Sequence, residues 1–161
     1  MYPEIVKFVS ELHSRKISTF LVTNAQFPEA ITNLPPITQL YVSVDAATPE
    51  TLKAIDRPLF SDYWERFVES LKSLRDKQQR TVYRLTLVSG WNMEEVAAYA
   101  KLIDIGKPDF IEIKGVTYCG SSDASSLTMK NVPYHKDVYE FGEAIVNLRR
   151  QENGEEEYGL A

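Results

Sequence analysis

Hydroxyl and ionisable side chains recur at alternate positions inside segments that are otherwise apolar. Ser43 and Asp45 close the run Thr38-Gln39-Leu40-Tyr41-Val42-Ser43-Val44-Asp45, Arg84 and Thr86 lie within Thr81 to Val88, and Glu112 and Lys114 lie within Phe110 to Val116. An extended chain repeats every two residues, so each pair shares one face of its strand. Barrel and sheet cores are filled by Val, Ile and Leu, so polar groups near the C-terminal ends of several strands point to a polar ligand cavity at the top of a sheet. The competing arrangement is a closed ion network of Arg84, Glu112 and Lys114, and residue types alone leave both open. Asn24, at the end of an earlier strand-like run, has no evident local use.

Other candidates have simpler explanations. Asn92 with Glu95 three residues on has the form of an N-cap and capping box. His13 and His135 are far apart without metal-ligand spacing, and both are read as surface residues. Cys119 has no Cys-His arrangement around it, the Ser121 to Ser126 stretch is no phosphate-cradling glycine motif, and the aromatic stripe from Tyr63 reads as core.

The elements that must position these groups alternate. Ile5, Phe8, Val9 and Leu12 have helical spacing, and Ile17 to Val22 is a short strand. A helical turn over Pro28 to Asn33 precedes the strand Thr38 to Asp45. Thr48-Pro49-Glu50 then has the form of an N-cap followed by proline at the first helical position. Phe60, Tyr63, Trp64, Phe67, Leu71 and Leu74 mark a long amphipathic helix. The strand Thr81 to Val88, a helix from about Met93 to Asp104, a break at Gly106 and Pro108, the strand Phe110 to Val116 and a helix bearing Val138, Phe141, Ile145 and Leu148 complete the pattern. It specifies an α/β fold of about four parallel strands with flanking helices. A partial (β/α) barrel, cut from something larger, is the expected form, and an open doubly wound sheet fits the same periodicity.

The expected folded domain is 1–148, followed by an acidic, disordered tail over 149–161. With 161 residues, 43% of them hydrophobic, the chain can build one core. A net charge of −5 opposes nonspecific binding of polyanions, so any RNA contact must be local. No segment resembles a membrane span or a secretory signal, and a single cysteine excludes an internal disulfide, so a soluble, cytoplasmic protein without membrane partners is expected. Four strands leave sheet edges open, which predicts weak stability or self-association through an edge.

Five ordered motifs carry a resemblance that runs from Met1 to about Leu148. They are Val22-Thr23-Asn24-Ala25-Gln26-Phe27-Pro28, Gln39 to Ala46, Asp56-Arg57-Pro58-Leu59, Gln79 to Val88, and Ile113-Lys114-Gly115-Val116-Thr117-Tyr118-Cys119-Gly120. Together they closely resemble the radical S-adenosylmethionine tRNA 4-demethylwyosine synthases. The resemblance implies a six-unit (β/α) barrel of radical-SAM type that joins a two-carbon fragment of pyruvate to N1-methylguanosine of phenylalanine tRNA in wybutosine biosynthesis. It implies S-adenosyl-L-methionine and a 4Fe-4S cluster as cofactors, the cluster on a CxxxCxxC loop that reduces S-adenosylmethionine to a deoxyadenosyl radical.

Carried over by position, the resemblance gives Asn24, Ser43, Asp45 and Thr86 to the cofactor and Arg84, Glu112 and Lys114 to the substrate side, and it assigns no catalytic residue. The cysteine loop and the glycine-glutamate-proline motif have no counterpart here, Ser89 stands where family members often have lysine, and the family's C-terminal His-rich segment is replaced after Leu148. The chain alone is therefore expected to be inactive, with a noncatalytic paralogue or isoform acting as a binding module as the alternative. An unrelated (β/α) metabolic enzyme is disfavoured because no glycine-rich phosphate loop is present.

Overall fold

A computed structural model describes residues 2–121, 125–153 and 158–161. Four strands, β1 (Phe20–Thr23), β2 (Gln39–Ser43), β3 (Arg80–Leu87) and β4 (Phe110–Gly115), form one sheet in the order β1-β2-β3-β4, with every pairing parallel. A doubly wound sheet reverses direction at a switch point. This one advances by one strand at each connection, as the wall of a (β/α) barrel does.

The intervening helices are α1 (Ile5–Ser14), α2 (Pro28–Thr32), α3 (Pro49–Asp56), α4 (Tyr63–Leu74), α5 (Val96–Gly106) and α6 (His135–Asn153), with a 3-10 turn at Met129–Asn131. Two starts follow directly from sequence. Thr48 caps α3, its hydroxyl accepting from the Thr51 N–H at 3.3 Å with Pro49 next in line. The stripe expected from Tyr63 onward buries Phe67, Leu71 and Leu74.

One face of the sheet packs on the helices. Leu40 and Val42 of β2 and Tyr83, Leu85 and Leu87 of β3 are all buried there, together with Phe67, Leu71, Tyr99, Leu102, Ile103, Phe141 and Ile145. Among the described residues no helix covers the opposite face, and Phe20, Val22 and Phe110 on it stay exposed. Close packing beneath β3 needs Gly106, because a Cβ there would stand 2.0 Å from the Tyr83 hydroxyl.

Described structure extends past Leu148. α6 continues to Asn153, Arg149 is 2% exposed and contacts Asp104 at 2.5 Å, and the Tyr158 hydroxyl donates to the Pro108 carbonyl at 2.6 Å. The aliphatic stem of Arg149 and the Tyr158 ring supply packing that an acidic composition hides. The acidic run 154–157 lies outside the described residues. Among the described residues no helix is long and apolar enough to cross a membrane.

Candidate functional site

Strand register decides which polar side chains meet. Ser43 pairs with Arg84 and Arg84 with Glu112, so three polar residues stand in one row across β2, β3 and β4. One step toward the C-terminal ends, Thr86 pairs with Lys114, and Asp45 lies two residues beyond Ser43 at the same height. Asn24 follows Thr23, which pairs with Val42, so it stands level with Ser43 at the end of β1. All seven candidates therefore share the helix-free face, above an apolar row of Val22, Tyr41, Val82 and Phe110.

Their environments differ. Asn24 and Glu112 are exposed, while Ser43, Asp45, Arg84, Thr86 and Lys114 are half-buried. Arg84 Nε lies 3.3 Å from Glu112 Oε1, near enough for an ion pair but not aligned as a hydrogen bond, so that buried nitrogen remains without a hydrogen-bond partner. The pair is open to solvent and Lys114 stands outside it, so a closed buried network does not form.

Asp45 is the most constrained of the set. Its Oδ1 is enclosed without a hydrogen-bond partner. Burial raises its carboxyl above the ordinary value, opposed in turn by the nearby Thr86 hydroxyl and backbone and by the charges of Lys114 and Arg84. Asp56, at the end of α3, is pushed up to about 6, first by desolvation of its carboxyl and then by the negative charge of Asp45.

Two residues read as a capping pair do something else. Asn92 is fully buried, and its Nδ2 donates to the Asp45 carbonyl at 2.8 Å and to the Thr86 carbonyl at 2.9 Å, while its Oδ1 accepts from the Val88 N–H at 2.8 Å. It ties the ends of β2 and β3 together directly behind the candidate site. Glu95 does not close a box with it but accepts from the Ala47 N–H and the Thr48 and Thr51 hydroxyls, docking the start of α5 against the start of α3. A capping box and this staple use the same residue types, so only the fold separates them.

His13 is exposed and bonds Thr19 Oγ1 at 2.8 Å at the opposite end of the sheet, and His135 is exposed at the start of α6. Cys119 is exposed, and no cluster of His, Cys, Asp and Glu suited to a metal exists among the described residues. A cavity of about 480 Å³ lies between β4, α6 and Tyr158 to Ala161, away from the polar rows. The convergent polar groups and the orphaned carboxylate oxygen are at the strand ends and not in this cavity.

Comparisons with known proteins bear on the family and the fold. Residues 1–103 match the family model of the radical SAM superfamily, and residues 105–160 match that of wyosine base formation. The S-adenosyl-L-methionine-dependent tRNA 4-demethylwyosine synthase of Oryza sativa subsp. japonica is 73% identical over 90% of this chain and 22% of its own length. That of Arabidopsis thaliana is 71% identical over 98% of the chain and 24% of its own length. That of Homo sapiens is 65% identical, over 92% and 20%. The chain thus spans about a fifth to a quarter of these relatives. A solved structure of TYW1 with a lysine-pyruvate adduct bound superposes with a TM-score of 0.81 at 25% identity, over 91% of this chain and 46% of that one.

Proposed function

The chain belongs to the radical SAM superfamily, and from that premise we propose that it forms the cofactor- and substrate-facing half of a tRNA 4-demethylwyosine synthase barrel. The observation that carries the reading is the orphaned Asp45 Oδ1, held beside Ser43 at the strand ends on the face that no helix covers. A carboxylate and a hydroxyl at that spacing suit the vicinal hydroxyls of a ribose.

S-adenosylmethionine, when bound, supplies the radical chemistry. Ser43 and Asp45 hold its ribose, with Asn24 and Thr86 flanking them. Arg84 and Lys114 present cations to a carboxylate, of the cofactor's methionine end or of pyruvate, and Glu112 keeps Arg84 oriented. The other substrate is N1-methylguanosine of phenylalanine tRNA, the product is 4-demethylwyosine, and the setting is the cytoplasm. Asn92 acts as a positioning residue, because it fixes the two strand ends that carry Asp45 and Thr86.

A 4Fe-4S cluster does not fit the residues present. The sequence holds one cysteine, and it is exposed. Its ligands must come from residues beyond these 161, and the chain by itself is inactive. The same lone cysteine favours a second reading, a noncatalytic binding module. Replacing the matching segment of the Arabidopsis relative with this chain separates the two, since only the first reading yields 4-demethylwyosine from the chimera.

The direct test is calorimetric titration of the purified chain with S-adenosylmethionine. Asp45→Ala and Ser43→Ala are each expected to weaken binding roughly ten- to a hundredfold, the cost of losing a hydrogen bond involving a charged group. Undiminished affinity in Asp45→Ala would remove the assignment.

A further inference from the structure

The segment between α3 and α4 leads to a helix start anchored at the C-terminal end of the sheet. The Tyr63 hydroxyl donates to the Pro49 carbonyl at 2.9 Å, and Gln26 Nε2 donates to the Tyr63 carbonyl at 3.1 Å. These bonds hold the start of α4 over the C-terminal ends of β2 and β1. Phe60 is clamped there, edge-on to Phe27 at 5.6 Å, with the Arg66 guanidinium 4.1 Å over its ring and Arg66 Nε bonded to Asp62 at 2.8 Å. Next to this anchored ring, Leu59 is 97% exposed.

A lone exposed leucine is ordinary on a protein surface. Here it caps a braced loop, and Arg57 beside it is exposed with no hydrogen bond or ion pair among the described residues. The left-handed backbone of Arg57 before Pro58 is a helix ending, as Lys107 before Pro108 ends α5 the same way. The loop begins at Asp56, the last residue of α3, the helix that follows β2 and its Asp45.

We infer that Leu59 is a wedge that enters the base stack of an unpaired RNA loop, with the Arg57 guanidinium on an adjacent phosphate. The inference rests on the proposed tRNA substrate. A base in a stacked loop must leave the stack before its ring reaches the strand ends, and an apolar side chain filling the gap lowers the cost of that step. A chain with net charge −5 cannot rely on many phosphate contacts, so a small apolar and single-cation contact fits its electrostatics.

The test uses the purified chain and a short RNA stem-loop carrying 2-aminopurine in its loop, read by fluorescence and by affinity at several salt concentrations. The wild-type chain should raise the fluorescence several-fold on saturation. Leu59→Ala should lose that rise and bind roughly five- to tenfold more weakly, and Leu59→Phe should retain it. Arg57→Ala should keep the rise but lower the slope of log affinity against log salt by about one. Melting of Leu59→Ala should match wild type, since Leu59 buries nothing in the chain. A full rise in Leu59→Ala would overturn the wedge and leave the tRNA reading standing. A wild-type chain that binds S-adenosylmethionine but not the stem-loop would overturn the wedge while sparing the cofactor site, and one that binds neither would sink both. Self-association abolished by Leu59→Ala, without RNA unstacking, would assign Leu59 to a protein contact and overturn the inference.

Discussion

The two ends of the sheet treat polar groups in opposite ways. At the N-terminal end, the Thr19 N–H donates to Thr38 Oγ1 and the Thr38 N–H to Thr19 Oγ1, at 2.9 and 3.3 Å. Asp109 accepts from both the Thr81 N–H and its hydroxyl, at 2.7 and 3.0 Å. Lys77 donates to the carbonyls of Thr32 and Leu34, and Arg75 to the last carbonyls of α5, those of Asp104 and Ile105. The buried Gln79 Nε2 is an exception. At the C-terminal end the side chains of Asp45 and Arg84 each keep a buried polar atom without a hydrogen bond, while Asn92 behind them is fully satisfied. At the N-terminal end Gln79 is left with one such atom, and toward the C-terminal end Asp45 and Arg84, on neighbouring strands of one face, both have capacity left for a ligand. Unsatisfied polar groups are costly to fold, so the juxtaposition of Asp45 and Arg84 on one face is better read as a mark of function than of stability.

The contrast can be broken from the structural end first. Gly106→Ala drives a methyl group to 2.0 Å from the Tyr83 hydroxyl and 2.9 Å from the Leu71 carbonyl. It should cost about 3 kcal/mol in denaturant unfolding, with the affinity of the folded fraction for S-adenosylmethionine unchanged. A neutral result would mean that α5 slides freely on β3.

Asp109→Ala comes next, at about 2 kcal/mol, because it strands two donors of Thr81. Paired with Asp45→Ala, it sharpens the contrast. The first should lower the melting temperature and spare ligand binding, and the second should do the reverse. Equal destabilisation by both would show that the two ends are built alike.

The smallest effect concerns pH. The carboxyl of Asp56 rises from 3.8 to about 6 in the folded chain. The folded state then holds the proton more tightly than the unfolded one, so this group favours folding at low pH and that support is lost as pH climbs from about 4 through 6. Asp56→Asn should flatten the stability profile across that window. The change should stay below about 1 kcal/mol, because the residue is exposed to screening solvent. A profile as steep as wild type would place the titration elsewhere.

Much of this was legible in residue order because local physics sets it. Thr48-Pro49 caps a helix wherever that helix packs, and the spacing of Phe67, Leu71 and Leu74 buries one stripe against any sheet. The start of α5 at Val96 rather than near Met93 was not legible, because Asn92 and Glu95 serve distant strands and helices instead of their own helix end. Nor were the contacts of Arg149 and Tyr158, which find their partners on α5 and at Pro108, 45 and 50 residues away.

By itself, then, the sequence determined the alternation of strand and helix, the pairing of Ser43 with Asp45, Arg84 with Thr86 and Glu112 with Lys114 on one face of each strand, and the want of cysteines for a cluster. Those follow from a two-residue period and from composition. Only the tertiary structure decided that the strands lie side by side in chain order, that register sets Ser43, Arg84 and Glu112 in one row, and that Asp45 is left with an oxygen unpartnered. Strand order and register arise from packing between residues far apart in the chain, and no local preference encodes them.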